Sequence, residues 1–322
     1  MKGGQELIWL RNNSPDCLVV SGPGSAESFM RSTDAGQTWH QQPVQLPPGF
    51  RGNPGVGARL SSGRLVYTIF EWLLSQWDDS SHKVAGRHGG YTDWDPDTKA
   101  DGYTRMCVIR SDDDGKTWHG TETGIDISPF QWAVPSGRIF ELSDGTVILP
   151  IWGCRTRFEV SRRIDSGGLL RSTDGGETWG DFSTIVYDEA NQKTAYNEID
   201  VAPVDEDLWV AFVRTEPRGW KLASWMSRSV STDRGYTWTK PELCFIASVP
   251  QVVILPDGGI AVGGSWGGVH LTYDLGRTWS RVLPGGHYAK PMLVNNDTLL
   301  IGNGQNWGTF DVWRRIPSQA AR

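Results

Sequence analysis

Two side chains stand at matching places in different parts of this sequence. Counting nine positions back from the turn residue of successive short hairpins reaches Pro54, Ser136, Glu198, Val249 and Tyr288. If those hairpins are copies of one unit, an acid and a phenol face one opening at the same level. Their convergence from separate units is the kind of grouping that marks a working site. Further acids cluster in the long stretch 77–104, at Asp78 and Asp79 and then at Asp93, Asp95 and Asp97. An anionic ligand could be held by a local arginine cluster, such as Arg155, Arg157, Arg162 and Arg163 in a second apparent insertion. No metal is expected. The alternation Asp93-x-Asp95-x-Asp97 lacks the glycine and distal glutamate of a calcium loop, and Cys17, Cys107, Cys154 and Cys244 show no CxxC spacing.

The elements that must position these groups are legible from two repeats. An octapeptide of the form Ser/Thr-x-Asp-x-Gly-x-Thr-Trp occurs five times, at Ser32–Trp39, Ser111–Trp118, Ser172–Trp179, Ser231–Trp238 and Thr272–Trp279. Its Asp can accept from backbone amides ahead of it, and its Gly can take a positive φ. The Thr-Trp pair then re-enters a strand, so the box reads as a hairpin turn and not as a row of catalytic acids. Between boxes lie strand–turn–strand units such as Leu142-Ser143-Asp144-Gly145-Thr146-Val147 and Leu255-Pro256-Asp257-Gly258-Gly259-Ile260. Counting Leu10–Leu18 gives six such hairpins. A repeat of roughly 40–60 residues built from strands predicts sheets arranged radially. The expectation is therefore an all-β, six-bladed β-propeller occupying residues 1–322 as one domain, in which the first strand of each blade lines a central channel.

Composition narrows the partners. A formal charge of −6 argues against a nucleic-acid footprint. The longest apolar runs fall short of the ~18–20 residues a membrane helix needs, so no membrane span is expected. The opening residues carry no apolar run suited to a secretion signal. Localisation therefore stays open between a cytoplasmic chain and a secreted one with its signal removed. The 17 Trp are shared between scaffold and surface. Five of them close the boxes; Trp72, Trp77, Trp94, Trp132, Trp266 and Trp307 could face a ligand.

The boxes, together with three segments, resemble the Asp-box (BNR-repeat) sialidases, or neuraminidases. Asn197-Glu198-Ile199-Asp200-Val201 through Arg214 is similar to the family segment that carries a catalytic Glu and a substrate-binding Arg. The segment from His287-Tyr288-Ala289-Lys290 to Leu299 is similar to that of the nucleophilic Tyr. Arg51-Gly52-Asn53-Pro54 is an imperfect Arg-Ile-Pro. The resemblance implies an exo-acting retaining glycosidase of terminal sialic or related acidic sugars, needing no cofactor. In it Tyr288 is the nucleophile, Glu198 its base, and Asp79 or Asp78 the acid. Tyrosine suits such a substrate because a carboxylate nucleophile would be repelled by the sugar's own carboxylate. Arg51 and Arg214 would bind that carboxylate, with Arg155, Arg157 and Trp266 as further substrate contacts.

One departure weighs on the substrate. Where the family's third arginine belongs, Gly263-Gly264-Ser265-Trp266-Gly267-Gly268-Val269-His270 has none. Two alternatives stay open beside the sialidase reading. One is a sialidase-like hydrolase of a different, even neutral, sugar, with Glu198 and an Asp as a carboxylate pair and Tyr288 as a wall. The other is a non-catalytic propeller that binds glycans or proteins.

Overall fold

The computed structural model describes residues 7–9, 17–20, 28–34, 37–43, 53–76, 79–84, 101–120, 123–156, 159, 164–191, 193–217, 224–283, 289–295, 298–302 and 310–314. The expected all-β class holds. Antiparallel sheets follow one another along the chain. The first runs from Leu7–Trp9 to His40–Pro43, the second from Asn53–Arg59 to His119–Gly120, and the third from Trp132–Pro135 to Gly180–Val186. The fourth spans Thr194–Pro203 to Glu242–Ile246, the fifth Ser248–Ile254 to Ser280–Leu283, and the sixth Lys290–Asn295 to Phe310–Arg314.

The expected six-bladed propeller is corrected by the way these sheets pack. Four of them, the second to the fifth, have a neighbouring sheet on both faces and form a propeller-like body of four blades. The first and sixth sheets pack from one side, against the second and the fifth respectively, among the described contacts between strands. The physical reason lies in the ends. The sixth sheet has three described strands, and the described strands at the N-terminus do not join it: Leu7–Trp9 pairs with Cys17–Val20, its own hairpin partner. A hairpin closes a short loop, whereas pairing first strand with last closes nearly the whole chain at a higher entropic cost.

Within each blade the local chemistry is that read from the sequence. In the fourth blade, Ser231 Oγ donates to Asp233 Oδ1 at 2.8 Å. The Thr237 amide donates to the same oxygen at 2.9 Å, and the Thr237 hydroxyl to Oδ2 at 2.6 Å. Trp238 Nε1 closes the turn on the Gly235 carbonyl at 3.0 Å. Gly235 is required twice over: its φ is +80°, and a Cβ there would stand 2.7 Å from the Trp209 ring. The same Ser/Thr-to-Asp bond recurs at Asp34, Asp113, Asp174 and Asp274.

Cores form between blades. The run Val147–Cys154 is buried along its whole length, because a strand covered on both faces needs no polar side. It packs with Trp132 and Leu169 against Ile199, Trp209 and Val213 of the fourth blade. Ala202, Val210 and Phe212 meet Val252, Ile260 and Val262 of the fifth in the same way. Each such Val, Leu, Ile or Phe side chain contributes about 1.5–3 kcal/mol by leaving water. The first strand of the fourth blade is thereby held between Val147–Cys154 and Ser166–Ser172 of the third and the first strand of the fifth.

Candidate functional site

Glu198 lies where the first strand of the fourth blade breaks register. Thr194–Pro203 pairs regularly with Trp209–Pro217 except between Tyr196 and Ile199, where Asn197 and Glu198 together oppose Arg214. A bulge of this kind re-aims side chains next to active sites. Shifts at the same level occur in the first strands of the second blade, between Pro54 and Gly57, and of the fifth, between Ser248 and Gln251. Three of the residues reached by the nine-position count, Pro54, Glu198 and Val249, thus sit at or beside a register shift in the first strand of their blade.

Neighbouring blades touch this point. Ser136 of the third blade accepts the Ile199 amide on its Oγ at 2.7 Å. From the fifth blade, the backbone N–H of Val249 lies close enough to the Glu198 carboxylate to favour its ionised form. Val249 has a φ of +54°, a strained conformation for a β-branched residue. Such strain persists only where the surroundings impose it, and it concentrates at functional sites.

Among the described residues, Arg214 is the cation paired with Glu198. Its Nη1 donates to both Glu198 oxygens, at 2.9 and 3.0 Å. Nε donates to Glu216 Oε1 at 2.9 Å and to Ser224 Oγ at 3.1 Å, and Nη2 bonds the same Glu216 oxygen. Ser224 Oγ donates in turn to Glu216 at 2.8 Å. All three guanidinium nitrogens therefore have protein acceptors. The Glu198, Arg214 and Glu216 side chains remain 22%, 27% and 34% exposed, so the cluster is open on one side.

These surroundings set the protonation of Glu198. Burial pushes its carboxyl above the ordinary value, Arg214 pulls it back, and Glu216 adds to the rise; the balance is upward. Burial works to lower Arg214, but Glu198 and Glu216 outweigh it and hold its charge firmly. The arrangement can keep a proton on Glu198 beyond the usual carboxylate range while still letting it ionise, as proton transfer to a leaving oxygen requires.

Other candidate residues fall elsewhere. Arg155 lies against the outer strand of its own blade, with its guanidinium 4.2 Å from the Tyr187 ring centroid and donating to Thr184 Oγ1 at 2.8 Å. Its amide bonds Glu159, whose other oxygen takes the Tyr187 hydroxyl at 2.5 Å. Burial, and then that acceptor, push Tyr187 up to about 12. Trp266 is 69% exposed in the turn joining Ile260–Ser265 to Gly268–Thr272, with a φ of +71°. Ser265 beside it pairs with Ser248, next to Val249, which places this turn on the rim nearest Glu198. The backbone of Asp79 pairs with Gln76 at the start of strand Asp79–Val84. Arg51, Asp78, Arg157 and Tyr288 lie outside the described residues, as do Asp93, Asp95 and Asp97.

Sequence reasoning did not single out Glu216. The alternation Arg214-x-Glu216 on a strand was the available signal, since residues two apart share a face. It also missed Asp165, buried behind the site, which accepts from Asn197 Nδ2 and from Cys154 Sγ. A cavity lined by Asp144, Arg171, Trp179, Arg234 and Tyr236 lies at the box-turn end of the strands, away from Glu198. Its polar groups bond one another, Arg234 with Asp144 and Tyr236 with Asp181.

The sheets define a propeller-like all-β protein, and its box turns point to the class of BNR-repeat proteins. The BNR repeat-like domain family matches residues 91–260, and the chain belongs to that family. The match is one region and not five separate repeats, which corrects the expectation drawn from the five boxes; those recur as turns inside the region and beyond it. A sialidase of Bacteroides fragilis (strain YCH46) is 26% identical over 308 residues, covering 86% of this chain and 50% of its own length. The chain thus spans about half of that relative. Among solved structures, a Hadza microbial sialidase superposes with a TM-score of 0.63 at 18% identity, over 92% of this chain and 62% of its own. The α-L-arabinofuranosidase of Fusarium graminearum in complex with arabinobiose gives 0.62 at 13% identity, over 93% and 89%. At these identities the structures show the fold alone.

Proposed function

We propose that this chain hydrolyses a neutral glycosidic bond, with Glu198 as one carboxylate of the catalytic pair and Arg214 as the residue that holds it in place. One observation carries the reading: Arg214, the arginine expected to bind a substrate carboxylate, is already engaged by Glu198 and Glu216. Among the described residues, two carboxylates around one guanidinium make this cluster negative while Glu198 is ionised, which disfavours a sugar that brings another carboxylate. The missing arginine at 263–270 points the same way. So does the likeness to an arabinofuranosidase as well as to sialidases.

In this reading Glu198 protonates the departing oxygen or, once ionised, activates the incoming group. The second carboxylate comes from the stretch after Leu65–Gln76, where Asp78 and Asp79 are the candidates. Tyr288 is then a wall of the pocket. Trp266 on the rim offers an indole face to a sugar ring.

A panel of aryl glycosides tests the proposal: neutral pyranosides, an α-L-arabinofuranoside, a uronide and a sialoside. Hydrolysis of a neutral member, lowered about 10²–10⁴-fold by Glu198→Gln, is expected. Preferential turnover of the sialoside that depends on Tyr288 would overturn it, as would glycan binding with no hydrolysis of any member.

A further inference from the structure

The contacts of Glu216 give it a role that its sequence position did not reveal. Glu216 and Arg214 are two apart on one strand, so their side chains rise from the same face of the blade. Ser224, at the foot of the next strand, stands across from Glu216 and bonds both partners. The Nε/Nη2 edge of Arg214 is the fork an arginine normally offers to a carboxylate, and here a single oxygen of Glu216 takes both of its nitrogens. Nη1 is left to grip Glu198. Glu216 thus does to Arg214 what an anionic sugar would do, and does it from within the protein.

We propose that Glu216 is the specificity-determining residue of the site: an internal carboxylate that occupies the anion-binding edge of Arg214 and so excludes acidic sugars in favour of neutral ones. The inference rests on the reading of this cluster as a sugar site. An acidic sugar must displace Glu216 from Arg214 while adding a third negative charge beside Glu198 and Glu216. A neutral sugar displaces nothing. Removing the charge at 216 without changing the shape reverses both terms. The freed fork of Arg214 then becomes a receptor for an external carboxylate, and the cluster carries one negative charge fewer.

The test compares the protein with Glu216→Gln, Glu216→Asp and the double variant Glu216→Gln/Arg214→Gln. Each is titrated with galacturonate and with galactose by NMR, and assayed on the matching aryl uronide and neutral aryl glycoside. Glu216→Gln is expected to raise the ratio of galacturonate to galactose affinity by about tenfold or more, the size of one charge-assisted contact. Glu216→Asp, which keeps the charge, should restore exclusion, and the double variant should lose the gain.

An unchanged ratio in Glu216→Gln, no galacturonate binding to it at any concentration, or a gain that survives loss of Arg214 would overturn the proposal. The proposed hydrolase activity fails separately. A shifted binding ratio with no turnover by any variant removes the hydrolase and keeps the lock, whereas turnover of the neutral glycoside with no shift removes the lock alone.

Discussion

The carboxylate of Asp200 accepts the backbone amide of Val252 at 2.6 Å, tying the first strand of one blade to that of the next just two residues from Glu198. The other oxygen takes the amides of Arg138, from the preceding blade, and of Val201, while Arg138 Nε donates at 3.4 Å to the same oxygen as Val252. One fully buried side chain therefore pins three blades at the level of the site. Asp200→Ala would strand those donors and leave Arg138 without its partner, so a loss of about 3–5 kcal/mol is expected. Urea unfolding measures it, and a change under about 1 kcal/mol would show that the blades are held by their apolar cores alone.

Much of this was readable in the sequence because it is local. The box turn depends on Ser231, Asp233, Gly235 and Thr237 bonding one another within a few residues, and five copies repeat that chemistry in plain view. The nine-position count found Glu198, Val249 and Ser136 together because strands climb at a fixed rise per residue. What did not follow from the sequence depends on distant choices. Blade number rests on which strand Leu7–Trp9 pairs with, a competition between a hairpin and a closure across the chain. The fate of Arg214 rests on Glu216 and Ser224, whose meeting is set by strand register. Arg155 reads as an arginine near an opening until the ring of Tyr187 is seen to hold it against the outer strand.

The boxes make a prediction about acid. The hydroxyl of Thr237, followed by its amide, holds Asp233 at about 2, below the ordinary 3.8. Asp34 is held at about 2 as well, and Asp274 is lowered in the same manner. A carboxyl depressed in the folded state stabilises it above pH 3.8, and that contribution is lost as pH falls through 3.8 towards 2. Thermal midpoints should therefore drop steeply below about pH 4. In Asp233→Asn the drop should be shallower, because that turn no longer has a charge to lose; an identical slope in the variant would contradict the assignment.

Trp266 allows a clean separation of strain from contact. At φ +71° it occupies a region that costs a side-chain-bearing residue about 1–2 kcal/mol and glycine little. Both Trp266→Ala and Trp266→Gly remove the indole, yet only the second relieves the backbone. The glycine variant is expected to be about 1 kcal/mol more stable than the alanine variant after glycine's extra unfolded-state entropy is set against the relief. Equal midpoints in chemical denaturation would mean that the turn relaxes when the indole leaves. Loss of affinity for a sugar in both variants alike would assign the indole face to the ligand.

The charge pattern around Glu198 fixes the direction of a pH effect. Burial raises this carboxyl above its ordinary value of 4.5, Arg214 opposes the rise, and Glu216 reinforces it. If the proton on Glu198 is needed for turnover, activity falls as pH climbs through this raised value, so the alkaline limb of the rate profile belongs to Glu198. Glu216→Gln removes a neighbouring negative charge; ionising Glu198 becomes easier and the limb moves to lower pH. Arg214→Gln removes the positive charge, ionisation becomes harder, and the limb moves to higher pH. Opposite displacements from two residues on one strand are not a consequence of general destabilisation, which would lower rates without ordering the limbs. Rate profiles of kcat/KM on the best neutral glycoside provide the measurement. Displacements in the same direction, or none, would place the titrating group somewhere other than Glu198.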